Sequence, residues 1–129
     1  MIVLDRLLPM PPMGKQRARG TRSGRHYTPP ETVAWELRAS RLLATGTTTL
    51  DLVSVEVVAV VARPARRPPD VSPEAWATGE RLRRKGKPDL DNIEKIVWDA
   101  LVRARVIVDD SQVVEARASR WCAAAGEAP

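Results

Sequence analysis

Residues 87–115 read KPDLDNIEKIVWDALVRARVIVDDSQVVE, and this stretch decides the fold. Ile93, Val97, Ala100, Leu101 and Ala104 recur at helical spacing, which predicts a helix over residues 89–105 with one apolar face. Residues 106–108 are all β-branched and predict a short strand, Asp109-Asp110-Ser111-Gln112 a turn, and residues 113–121 a returning strand.

Working outward, residues 50–61 (LDLVSVEVVAVV) form the best strand in the chain, long and β-branched enough to be well buried. Residues 2–8 predict a further short strand that stops at Pro9, Pro11 and Pro12, because proline cannot donate to a ladder. Residues 13–30 read as a loop, and residues 31–44 as a helix whose broken apolar face carries Val33, Trp35, Leu37, Leu42 and Leu43. Residues 62–88 make a long connection rich in Pro and Arg, with a helical turn expected at 73–77; connections of this length are often functional. The terminal AAAGEAP is expected to fray. The expected architecture is α/β of the α+β type, one small domain over residues 1–129 with a mixed or mostly antiparallel sheet and two main helices.

At 129 residues a conventional core is possible, yet the chain has no Phe, one Tyr and four Trp. Val, Leu, Ile and Ala must therefore fill it, helped by Trp35, Trp76, Trp98 and Trp121. The single cysteine, Cys122, excludes an intramolecular disulfide, and the single histidine, His26, leaves neither a zinc site nor a histidine-based triad to assemble. Ser23, Ser54 and Ser111 have no partner pattern of a nucleophile. No run approaches the roughly 18 apolar residues needed to span a bilayer. A cytoplasmic protein that touches no membrane and needs no organic cofactor is expected.

The net charge of +5 is concentrated in two blocks, Lys15, Arg17, Arg19, Arg22 and Arg25, then Arg81, Arg83, Arg84, Lys85 and Lys87. Both lie in Gly-, Pro- or polar-rich segments, where the side chains are either a solvated, solubilising surface or contacts to a polyanion that releases counterions on binding. Tyr27 either stacks on a nucleotide or pins the loop to the domain. His26 contacts phosphate or caps the loop.

The carboxylates of residues 87–115 are clustered. Asp91, Lys95 and Asp99 stand four apart and project from one side of the predicted helix, Asp89 lies just before its start, and Asp109 and Asp110 return through a strand that can pack beside it. Neighbouring carboxylates raise one another's pKa unless something compensates, and a divalent cation does so. Mg²⁺ takes hard oxygen ligands, a few carboxylates at a time, together with substrate phosphate oxygens. Beside basic loops, the implied chemistry is phosphodiester hydrolysis, with Lys95 steadying a carboxylate or adding positive charge near the phosphate. The same residues also have a purely structural reading: Asp91 followed by Glu94 has the form of a capping box, and Asp109-Asp110-Ser111 is ordinary turn chemistry.

The pattern DLDNxxKxxxDALxxxxxxxDD from Asp89 to Asp110, with KP before it and SQVV after it, resembles the signature of the RusA family of Holliday junction resolvases. KQRAR at 15–19 and HYTP at 26–29 are similar to the basic loop and tyrosine-containing turn of its phage-type members. The resemblance implies Asp89, Asp91 and Asp110 as metal-binding and catalytic carboxylates, Lys95 as the catalytic lysine, and Asp109 and Asp99 at further acidic positions, Asp109 being a candidate fourth metal ligand. It implies Mg²⁺, with Mn²⁺ as a substitute. It also implies branched DNA, the four-way junction, as substrate, and a homodimer that makes paired symmetric nicks in a bacterial or phage-infected cell. Lys15, Arg17, Arg19, Arg25, Tyr27, Arg84, Lys85 and Lys87 are the candidate DNA contacts. The chain departs from the family in carrying Ala104-Arg105 where members often have Gly, and many members continue beyond the position of Pro129 into another strand. Two rival functions stay open: a non-catalytic basic DNA-binding module, and a related nuclease that cuts flaps or forks.

Overall fold

The computed structural model describes residues 4–16, 19–83 and 85–129. Two short strands, β1 (Arg19–Gly20) and β2 (His26–Tyr27), pair antiparallel and precede helix α1 (Pro30–Leu43). Strand β3 (Val53–Val61), the short helix α2 (Pro73–Ala77), helix α3 (Leu90–Arg103), a 3-10 turn (Asp110–Gln112) and strand β4 (Val113–Cys122) follow.

The main sheet is the pair β3–β4, and it is parallel, in register from Val53↔Val113 to Val61↔Cys122 with an irregularity after Val53. Of the expected mixed or mostly antiparallel sheet, the mostly antiparallel alternative is corrected: the main pair is parallel. Parallel partners need a long crossover, and α2 and α3, which lie between β3 and β4 in sequence, supply it. Besides a single bridge between Leu82 and Cys122 at the end of β4, antiparallel pairing joins β1 to β2, inside the stretch expected to be a plain loop. There Thr21 and Arg25 close the turn, Thr21 N–H donating to Arg25 O at 2.7 Å, and Gly24 takes φ +79°, a conformation glycine adopts without cost.

Helix α3 follows its predicted face, burying Ile93, Ala100 and Leu101, and it adds Ile96. Helix α1 does not. Its buried stripe is Thr32, Glu36, Ala39, Ser40 and Leu43, whereas Leu37 and Leu42 are exposed. The two helices pack together, and the fully buried Ala39 and Ala100 suit a close approach that leaves no room for leucine. The core joins these alanines to Met10, Leu43, Leu101 and Ile107, with Val53 and Val55 of β3 packed on it.

Residues 4–8 form no strand; residues 1–3 lie outside the described residues. Met10 N–H turns back to Leu8 O at 2.7 Å, and Leu4, Leu8 and Met10 serve instead as apolar anchors on the core. Residues 106–108 contribute only a bridge, Ile107 to Thr49. The terminal segment, expected to fray, is tied back to the domain as far as Glu127. Glu127 binds Arg81 and accepts from Ala124 N–H at 2.9 Å, and Ala125 N–H donates to Gly79 O. Within the 62–88 connection, Arg63 lies 3.9 Å from the Trp76 ring centroid and donates to the carbonyls of Trp76 and Glu80, and it ties the connection to the chain end through the carbonyl of Ala123. Among the described residues no helix is long and apolar enough to cross a membrane.

Candidate active site

Helix α3 begins beside an open cleft of about 960 Å³. One wall is residues 12–16; the other carries Lys87, Pro88, Asp89, Asp91, Asn92 and Lys95. The walls are held together by a hydrogen bond from Lys15 N–H to Asn92 O at 2.8 Å, and by Gly14, where a Cβ would stand 3.0 Å from that of Pro88.

Asp89 is the N-cap of α3 in extended conformation, but its side chain makes no capping bond. Its carboxylate faces Lys87 Nζ at 2.9 Å instead. Asp91, in the first turn, is 71 % exposed and lies 3.8 Å from Lys95 Nζ one turn further on. Negative charge in the first turn is favoured by the helix dipole, which helps two carboxylates sit side by side here. Capping therefore does not explain Asp89, and Asp91 stands inside the helix, not at the cap position of a box.

Asp109 and Asp110 lie in the turn before β4, whose 3-10 segment Asp110–Gln112 contacts α3, and neither lines the cleft. Gln112, which sequence reading passed over as part of a motif, organises this turn. Its Oε1 accepts from Val108 N–H at 2.7 Å and Asp109 N–H at 3.1 Å, and its Nε2 donates to the carbonyls of Thr49 and Asp51. The Ser111 hydroxyl donates to Asp109 and holds that carboxyl below the usual carboxylate range. Asp109 thus has the turn role, whereas Asp110 opens the 3-10 turn.

The structure brings Asp89, Asp91 and Lys95 together in the cleft and leaves Asp110 and Asp109 outside its lining. Among the described residues no three His, Cys, Asp or Glu side chains form a ready metal cluster. The donor chemistry nevertheless fits Mg²⁺, which commonly takes one or two carboxylates and completes its shell with water and substrate phosphate. Asp89 and Asp91 are such a pair, and the lysine on each marks the negative charge a cation would offset.

The candidate DNA contacts divide by position. Lys87 lines the cleft, and with Lys85 it also lines a second one of about 590 Å³. Arg25 and Tyr27 are exposed on the β1–β2 hairpin. Arg17, Arg84 and the side chain of Arg19 lie outside the described residues. Lys15 lines the cleft, but its amine is bound to Glu36 Oε1 at 2.5 Å and Asp99 Oδ2 at 2.9 Å. Burial opposes its charge, and the hydrogen bonds to Asp99 and Glu36 outweigh that effect and raise its pKa. Sequence reading missed Glu36; its helical spacing with Thr32, Ala39 and Leu43 was the available signal.

Exposed carboxylates repel a phosphodiester, and basic segments on both sides attract one. That opposition is the chemistry of a DNA-cleaving hydrolase, which is the class this chain falls in. The model of the family described as Endodeoxyribonuclease RusA matches residues 9–127, and the chain belongs to that family. The search of curated proteins gave no match to it.

Proposed function

We propose that this chain is a Mg²⁺-dependent Holliday junction resolvase that acts as a homodimer and makes paired, symmetric incisions in four-way DNA junctions. The observation that carries the reading is the pair Asp89 and Asp91 at the start of α3, exposed in a cleft and free of capping duty, in a chain of the RusA family. Asp89 and Asp91 would hold the cation, Asp110 of the turn before β4 is the third ligand the family resemblance implies, and Asp109 shapes that turn. When bound, Mg²⁺ offsets the carboxylate and phosphate charge and acidifies water for attack; Mn²⁺ offers the same hard-ligand chemistry. Lys87 and Lys95 are exposed and hold the carboxylates by single ion pairs, which in water are worth at most about 1 kcal/mol and open easily. Once released, both amines lie beside the phosphate, where Lys95 stabilises the negative charge that builds in the transition state. Arg25, Lys85 and Lys87, with Arg17, Arg19 and Arg84, hold the flanking backbone, and Tyr27 offers a face for stacking.

One acidic cleft makes one cut, so two coordinated cuts need two protomers related by symmetry. The test is a panel of synthetic substrates in Mg²⁺: a mobile four-way junction, a flap, a fork and a linear duplex. Paired nicks confined to the junction support the reading. Cutting of flaps or forks alone would keep the chemistry and change the substrate, and binding without cutting would identify a non-catalytic module. Sedimentation in the same buffer tests the dimer, and a monomer that still makes paired cuts would overturn it.

A further inference from the structure

Glu36 is 4 % exposed, and its two carboxylate oxygens face Lys15 at 2.5 Å and Arg103 at 3.6 Å. A buried ion pair is seldom a better stabiliser than apolar residues of the same volume; where it is kept, its use is to specify one arrangement. Here the arrangement is that of residues 12–16. The Lys15 backbone N–H donates to Asn92 O at 2.8 Å in the first turn of α3, and its amine is clamped between Glu36 of α1 and Asp99 of α3. Its neighbour Gly14 lies so close to Pro88 and Asn92 that a Cβ would stand 3.0 Å and 3.2 Å from theirs. This is the wall that faces Asp89, Asp91 and Lys95 across the cleft.

We propose that Glu36 is a positioning residue for DNA cleavage: through Lys15 it seats residues 12–16 against the first turn of α3 and so fixes the width of the cleft that receives the scissile phosphate. The inference rests on the nuclease reading above. Glu36→Gln keeps the shape of the side chain and removes one of the two charges that hold Lys15, the one that ties it to α1, leaving Asp99. The flanking basic segments still bind DNA, so junction affinity stays within about twofold, while a displacement of about 1 Å at the phosphate slows the chemistry up to roughly 100-fold.

The experiment compares native protein, Glu36→Gln, Lys15→Met and the double variant in single-turnover cleavage at saturating four-way junction, alongside hydrogen exchange of the Lys15 amide. Expected are a 10- to 100-fold slower rate in each single variant, a double variant no slower than the slower single one, and faster Lys15 exchange while the α3 amides keep their protection. Arg103→Gln is the control: Arg103 faces the other carboxylate oxygen of Glu36 and makes no link to Lys15, so the variant should lower Tm and leave the saturating rate within twofold. Lys15→Met interrupts the same link from the loop, so a Glu36 variant that does not fold leaves the test intact. Native rates in the single variants, unchanged Lys15 exchange, or an equal loss of rate in Arg103→Gln would overturn the proposal. Failure of the native chain itself to cut any branched DNA would overturn the reading beneath it, and is seen without any variant.

Discussion

Arg105 has φ +58°, in the left-handed region that a side chain ordinarily avoids. It sits just past the C-cap of α3, where Arg105 N–H donates to Val102 O at 3.0 Å and Val106 N–H to Leu101 O at 3.1 Å. This is the Schellman pattern, whose left-handed position is usually glycine. The turn directs the chain from α3 to Asp109 and Asp110, and Thr48 Oγ1 donates to Arg105 O across it. Left-handed backbone costs an L-residue about 1–2 kcal/mol, and glycine gives back about 0.5–1 kcal/mol through the greater freedom of its unfolded chain. The Arg105 side chain is exposed, so its removal costs little packing. Arg105→Gly should therefore stabilise the protein by about 0.5–1 kcal/mol. Unfolding entropy of roughly 2.1 cal/mol/K per residue converts this to a Tm rise of about 2–4 °C, read by calorimetry at pH 7. Arg105→Ala is the control, since it loses the side chain and keeps the strain. A glycine variant with an unchanged or lower Tm, or an alanine variant that gains as much, would refute the reasoning.

Glu127 is held down to about 2 by the Arg81 guanidinium and the Ala124 N–H. Because its folded pKa lies below its ordinary 4.5, the contact stabilises fully above about pH 4.5 and is lost as pH falls towards 2. Glu127→Gln should lower Tm at neutral pH, and the two Tm curves should converge near pH 2; a constant offset down to pH 2 would count against the contact. Arg63→Met removes the guanidinium donor from the carbonyls of Glu80 and Ala123 and one of the donors to that of Trp76, and should cost about 2–3 kcal/mol in urea unfolding and speed proteolysis within residues 62–88. Replacing Lys85 and Lys87 together by glutamine should reduce the slope of log affinity against log salt for junction DNA by about 1.8; an unchanged slope would remove both from the phosphate contacts.

The fold was legible where local pattern and tertiary demand coincide. Helix α3 has a regular apolar face and β3 a β-branched run, so both elements could be placed from spacing alone. Helix α1 could be placed but its face could not, because close packing on Ala100 selects Ala39 and Ser40, and the buried charge of Glu36 depends on Lys15, 21 residues away in sequence. Parallel pairing of β3 with β4 was equally hidden, since strand direction depends on the path of the whole 62–112 crossover. The docking of the chain end was also hidden, since it rests on the long-range pair Arg81–Glu127. In the candidate site, Asp89, Asp91 and Lys95 share one helix start, and one-dimensional spacing sufficed to group them. Asp110 belongs to a turn held by Gln112 across to Thr49 and Asp51, a contact that spacing does not encode. The pair Ala104-Arg105, a departure from the family in sequence, falls on the turn in which Arg105 takes φ +58°.

The most direct measurement of the central claim is junction cleavage by Asp91→Asn in Mg²⁺, with Tm and junction affinity recorded on the same samples. Asp91 is exposed and makes one long ion pair, so the asparagine should cost less than about 1 kcal/mol of stability. The account predicts a nearly native Tm, retained junction binding, and cleavage slowed at least about 100- to 1,000-fold. Native-rate cutting by the variant, or a loss of cutting no larger than its loss of folded protein, would contradict it.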